Sequence, residues 1–178
     1  MNEKSFVDEK QFKFVFDNIQ SEDISVRNRA VEYLENYYFT EEQIEKLVPY
    51  FTHNEWSKVS AHQHNVLSEK FIRMHANSLV WLSISFWWKF DVNFTREMKN
   101  KLDWRPVCSH LPIDNKFVRE FYDYIKWHYI ALFQKFNFKF VKQWKMELRN
   151  QINDINENKK ITKENKEKYI KYLLGYEK

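Results

Sequence analysis

Glycine is nearly missing from this sequence: among 178 residues there is one, Gly175, with three prolines and a single cysteine, Cys108. Tight β-hairpins draw on glycine for positive φ, so a hairpin-rich β fold is disfavoured and helices joined by short polar turns are expected. The same scarcity excludes a glycine-rich phosphate loop. One cysteine cannot close an internal disulfide, which points to a reducing compartment, the cytoplasm. Long apolar runs are also lacking. The longest, "SLVWLSISFWW", falls short of the ~18 to 20 residues that span a bilayer and is closed by Lys89 and Asp91. The opening "MNEKSFVDEK" has no basic stretch followed by an apolar one. Neither a signal peptide nor a membrane partner is expected.

What the sequence has in quantity is aromatic residues, 19% of the total, and they recur. Trp56, Trp81, Trp104 and Trp127 are spaced by 25, 23 and 23 residues. Three positions after each stands Val59, Ile84, Val107 or Ile130, followed by a small residue, Ser60, Ser85, Cys108 or Ala131. That spacing reads as one face of a short helix. Ser68, Asp91, Asp114 and Asn137 then fall in register, preceded by Leu67, Phe90, Ile113 and Phe136. Their residue types lead the helix N-cap ranking because a side-chain oxygen accepts from an unpaired first-turn amide. Three residues after each cap stands Phe71, Phe94, Phe117 or Phe140. Seven after stands His75, Met98, Phe121 or Trp144, and eleven after stands Leu79, Leu102, Ile125 or Leu148. Steps of four hold one helical face, so a longer helix of about eleven residues with a buried stripe is expected after each cap.

Neither helix of such a unit buries its stripe alone, and stacked neighbours would share a core. The expected fold class is all-α, with repeated helix pairs of about 23 residues stacked as a small α-solenoid. The chain reads as a single domain, 1–178. Residues 1–55 form an acidic helical cap, 56–149 four basic repeats, and 150–178 a polar connector with a C-terminal capping helix. In the first segment Asp8 and Thr40 read as caps, Thr40 with Gln43 has capping-box form, and "SEDISVRNRAVEYLENYY" reads as another helix. In the last, "NQINDINENKK" reads as the connector, Thr162 as a cap and Gly175 as a helix stop.

The phrase "VLSEKFIRMHANSLVW" and its echoes "FDVNFTREMKNKLDW" and "IDNKFVREFYDYIKW" resemble the short LSE-x-FI helical repeats of phage and large-DNA-virus proteins. The resemblance covers about residues 56–149. It implies stacked helices and carries no shared chemistry. Pro106, Pro112 and the ending at Arg149 and Asn150 depart from the pattern.

Charge is uneven along the chain. Residues 1–55 hold six Lys and Arg against twelve Asp and Glu, and the remainder 23 against 13. Within the repeats it is columnar: Arg73, Arg96, Arg119 and Lys142 stand five residues after the caps, and Lys70, Asn93, Lys116 and Lys139 two after. Both offsets lie opposite the buried stripe, so the basic residues form an exposed ladder suited to a phosphate backbone or an acidic protein face. The plainer explanation is a solvated face. Trp87, Trp88, Tyr122, Tyr124 and Tyr129 fall outside the core pattern and are candidates to meet a partner.

Catalytic constellations are not apparent. Cys108 occupies a small packing position. His62 and His64 would chelate a metal only on an extended segment, and His75 falls on the buried stripe, so no metal or other cofactor is expected. The acid pairs at Asp8 and Glu9 and at Glu41 and Glu42 sit in helix first turns, where the helix dipole accounts for them. The expected function is therefore non-catalytic binding, with a host protein or ribonucleoprotein as partner, nucleic acid contacted directly as the alternative (RNA ahead of DNA), and no small-molecule substrate. By analogy with small phage proteins, an inhibitor of a host defence nuclease of the anti-CRISPR kind fits this description.

Overall fold

The computed structural model describes residues 4–87 and 91–176. Those residues contain fourteen α-helices, and β pairing among them is confined to an isolated bridge between Phe6 and Tyr38. The helices group into two compact units that divide after residue 88.

The first unit contains α1 (Glu9–Asn18), α2 (Ile24–Asn36), α3 (Glu41–Leu47), α4 (His53–His62), α5 (Glu69–Met74) and α6 (Trp81–Trp87). Here α2 packs on α1 and α4, and α4 packs on α6. Val15, Leu34, Ile44, Val59, Ile72 and Ile84 are fully buried between them. The second unit contains α7 (Val92–Met98), α8 (Trp104–His110), α9 (Asn115–Glu120), α10 (Trp127–Phe133), α11 (Phe138–Gln143), α12 (Lys145–Arg149), α13 (Ile152–Glu157) and α14 (Lys163–Leu174). In it α10 packs on α8 and α13, while α14 lies against α11, α12 and α13.

Each polar residue read as a cap is one. Ser68, Asp91, Asp114 and Asn137 accept from the amides of Phe71, Phe94, Phe117 and Phe140 at 3.1, 2.7, 2.8 and 3.0 Å. Asp8, Thr40 and Thr162 do the same for Gln11, Gln43 and Asn165. The Thr40 and Gln43 side chains form a reciprocal capping box. Gly175 ends α14 with φ of 88°, a left-handed conformation that glycine adopts without a Cβ clash. The residues at Trp plus three and plus four are all buried, as are the four Phe. So are Ile72, Thr95, Val118 and Val141, one place beyond each Phe; they widen the buried stripe in the way a core-facing helix requires.

Two expectations are corrected. The helix after each cap is not eleven residues long: α5, α7, α9 and α11 have six, seven, six and six residues. At cap plus seven the backbone of His75, Phe121 and Trp144 leaves the helix, with φ between −114° and −103° and ψ of 19° to 39°. Packing gives the reason. The rings of His75, Phe121 and Trp144 turn back onto Trp56, Trp104 and Trp127, with centroids 5.1, 5.3 and 5.6 Å apart. The chain then re-enters the core four residues on, where Leu79, Ile125 and Leu148 are buried. A four-residue step is met equally by a helix that breaks and returns. The second correction concerns residues 150–160, read as a connector: they contain α13, whose Ile155 is fully buried and which packs on α10.

Candidate interaction surfaces

Lys70, Arg73, Arg96, Lys116, Arg119, Lys139 and Lys142 are all exposed, as is Asn93. The reason is local: cap plus three and plus four point inward, so plus two and plus five point outward. The arginines are engaged, however. Arg73 pairs with Glu69 at 2.9 Å one turn earlier. Arg96 pairs with Glu120 and donates through Nη1 to Asn93 Oδ1 at 2.9 Å. The hydrogen bond that Arg96 donates to Glu120 raises the Arg96 pKa, and that same bond lowers the Glu120 pKa. Arg119 donates to Gln143 Oε1 at 3.0 Å. Both Arg96 and Arg119 therefore reach the residue 24 positions on, in the next capped helix, and tie α7 to α9 and α9 to α11. Among the described residues Lys70, Lys116, Lys139 and Lys142 make no salt bridge, though the charge of Lys116 is felt by Glu120 and helps to lower its pKa. Their ammonium groups carry the part of the ladder's charge that no salt bridge holds.

The aromatic candidates divide. Trp87 is 53% exposed and stacks on His64 with 12° between ring planes. Tyr122 is exposed and donates its hydroxyl to Glu147 at 2.7 Å, a bond that raises its pKa. Tyr129 is half-buried against Phe133. Tyr124 packs on Trp104 and donates its hydroxyl to Asn100, so the second unit itself occupies it. Trp88 and Phe90 lie outside the described residues.

Chemistry at the remaining candidates is explained by packing. Cys108 is fully buried, and burial pushes its thiol up to about 11, against a small opposing contribution from the Lys126 amide 3.3 Å from Sγ. It is protonated at neutral pH and inaccessible to a substrate. Burial lowers the pKa of His62 and of His64, and His64 Nδ1 lies 3.2 Å from the Ala61 carbonyl. His75 sits against Trp56 and Phe71 with Nε2 3.2 Å from Glu45. Among the described residues no three His, Cys, Asp or Glu side chains converge as metal ligands would. Glu41 holds the next cap by accepting from the Ser68 hydroxyl at 2.9 Å.

Three features had little or no sequence signal. Buried amides close the ends of helices. Gln63 Nε2 donates to the Leu34 and Tyr37 carbonyls at 2.6 and 2.7 Å, and Asn158 Nδ2 to those of Ala131 and Gln134 at 2.7 and 2.8 Å. These serve the unpaired carbonyls at the C-terminal ends of α2 and α10. Gln134, seven residues after its Trp as Gln63 is, donates to the Cys108 carbonyl at 2.9 Å; that shared offset was legible, though in only two units. Glu55, 1% exposed, accepts from Arg27 at 2.9 Å and also caps α4 through Thr52. Burial alone would raise its pKa, but the bonds from Arg27 and Thr52 outweigh it and leave the carboxyl low. Lys4 donates to the His62 carbonyl at 2.9 Å and lies 4.5 Å from the Tyr38 ring centroid. Burial brings its pKa down to about 8 against the opposing pull of Glu35.

Depressions in the second unit are shallow and edged with charge. One of about 420 Å³ is bordered by His110, Asp114, Lys135 and Lys160, and another of about 470 Å³ by Phe133, Glu157, Lys159 and Lys160. The arrangement is an all-helical scaffold with lysine-rich outer faces. The chain matches no family model, no curated protein and no solved structure.

Proposed function

We propose that the protein acts without catalysis, by docking the lysine-bearing helical faces of its units onto a larger macromolecule. The observation that carries the reading is the outward placement of Lys70, Lys116, Lys139 and Lys142 without a salt bridge to any described residue, on short helices whose other faces are buried. Within each unit, the succession of α2, α4 and α6 or of α8, α10 and α13 supports a stacked, solenoid-type architecture that presents equivalent positions repeatedly. Repetition of one charge at equivalent positions suits a partner with spaced anionic groups. The partner class is a host protein or ribonucleoprotein. The resemblance to viral repeats extends this to an accessory protein that inhibits a host defence nuclease, such as an RNA-guided one, by docking on the protein or its guide RNA.

A second reading, direct binding of RNA or DNA, is favoured by the same unpaired lysines, since lysine neutralises phosphate as a point charge. The two readings separate in one experiment. Affinity capture from host lysate, with and without nuclease, retains a protein partner in both arms under the first reading and loses all bound material with nuclease under the second. Capture of nothing above background in either arm contradicts both.

A further inference from the structure

We infer that a cluster of lysines and aromatic rings formed by α11, α12 and α14 is a binding site for single-stranded nucleic acid; this rests on the nucleic-acid reading above and relocates its centre. Three lysines from three helices converge on two rings. Lys142 of α11 and Lys168 of α14 place their ammonium groups 4.9 and 4.7 Å from the Phe138 ring centroid. Lys145 of α12 lies 4.4 Å from that of Tyr172. Phe138 meets Tyr172 edge-on at 5.1 Å and lies nearly parallel to Tyr169, 9° apart. Lys142 and Lys168 are exposed, and Phe138, Lys145 and Tyr172 are half-buried, so the rings are anchored below and open above.

No described carboxylate forms a salt bridge at this place. Among the described residues Lys142, Lys145 and Lys168 make no ion pair, nor do their exposed neighbours Lys139 and Lys171. Elsewhere in the second unit Arg96 and Arg105 are each held by a carboxylate. The second unit as a whole carries 20 Lys and Arg against 12 Asp and Glu. In the free protein the ammonium groups rest on ring faces, a weak contact at a solvent-exposed site. A polynucleotide offers an exchange: phosphates take the ammonium groups, and the vacated faces of Phe138 and Tyr172 receive bases. Flexible lysine stems make that exchange without moving the backbone. An unpaired strand fits because its bases are free to stack, whereas duplex bases are not.

Fluorescence anisotropy of the full chain with labelled oligo(U) and oligo(dT) of about 20 nucleotides, and with a duplex of equal length, tests the site. Wild type is expected to bind both single strands more tightly than the duplex, with affinity falling as salt rises. The pair Lys145→Glu and Lys168→Glu is expected to weaken single-strand binding at least about tenfold. Phe138→Leu is expected to weaken it without changing the salt slope. Lys10→Glu with Lys13→Glu, exposed on α1 and outside every lysine surface described above, is expected to change it by no more than about twofold. Circular dichroism and melting of each variant keep loss of fold separate from loss of contact. If Lys70→Glu with Lys116→Glu abolishes binding while the Lys145 and Lys168 pair leaves it intact, the cluster is wrong and the nucleic-acid reading stands. No wild-type binding at about 50 μM protein in low salt overturns both.

Discussion

At Glu55 a carboxylate is taken almost wholly out of water and kept ionised by Arg27 and Thr52. Removing one partner of a buried pair leaves the other charge uncompensated, so Glu55→Ala is expected to cost about 3 kcal/mol in urea unfolding followed by tryptophan fluorescence. The pH dependence has a definite sign. Because the folded-state pKa lies below the ordinary carboxylate value, the contribution is complete above that ordinary value, about 4.5, and is lost as pH falls through the lower folded value. The Glu55→Ala deficit should therefore shrink in acid, and a deficit that persists undiminished there would contradict the role given to the charge. Cys108 yields a second prediction. With its thiol pushed up to about 11 inside the core, it should resist thiol-reactive dyes at pH 8 and label fully in urea; rapid stoichiometric labelling of the native protein would contradict its packing role.

Helices in this chain are short, and the side chains at their ends have a large share in holding them. Asp114→Ala removes an N-cap and is expected to cost about 1 kcal/mol, read as a lowered urea midpoint. Asn158→Leu strands two buried carbonyls, those of Ala131 and Gln134, and is expected to cost about 2 kcal/mol although it adds apolar surface. These two devices were unequally legible. A cap is local: Ser68, Asp91, Asp114 and Asn137 act on an amide three residues away, so sequence register located all four helix starts. The Asn158 side chain acts on carbonyls 27 and 24 residues earlier, and nothing in its neighbours signals that. For the same reason the arginines of the ladder read as solvent-facing cations, which they are, while the reach of Arg96 and Arg119 to Glu120 and Gln143 required the packed helices. The break at cap plus seven was hidden because hydrophobic period alone does not distinguish a continuous helix from one that turns aside for His75, Phe121 or Trp144 and returns.

Over the whole molecule, the proposed docking turns on the difference between arginine and lysine. Arg96 and Arg119 spend their charge or hydrogen bonds on neighbouring helices, whereas Lys70, Lys116 and Lys139 face solvent without a salt bridge to any described residue. Reversing the lysines should thus remove binding without loosening the scaffold. The direct measurement is stoichiometric capture from host lysate by full-length wild type and by the Lys70→Glu, Lys116→Glu, Lys139→Glu variant, at matched circular dichroism and melting temperature. The account predicts that wild type retains a partner and that the variant, equally folded, releases it. Equal retention of the same partner by both proteins would contradict docking through the lysine surface.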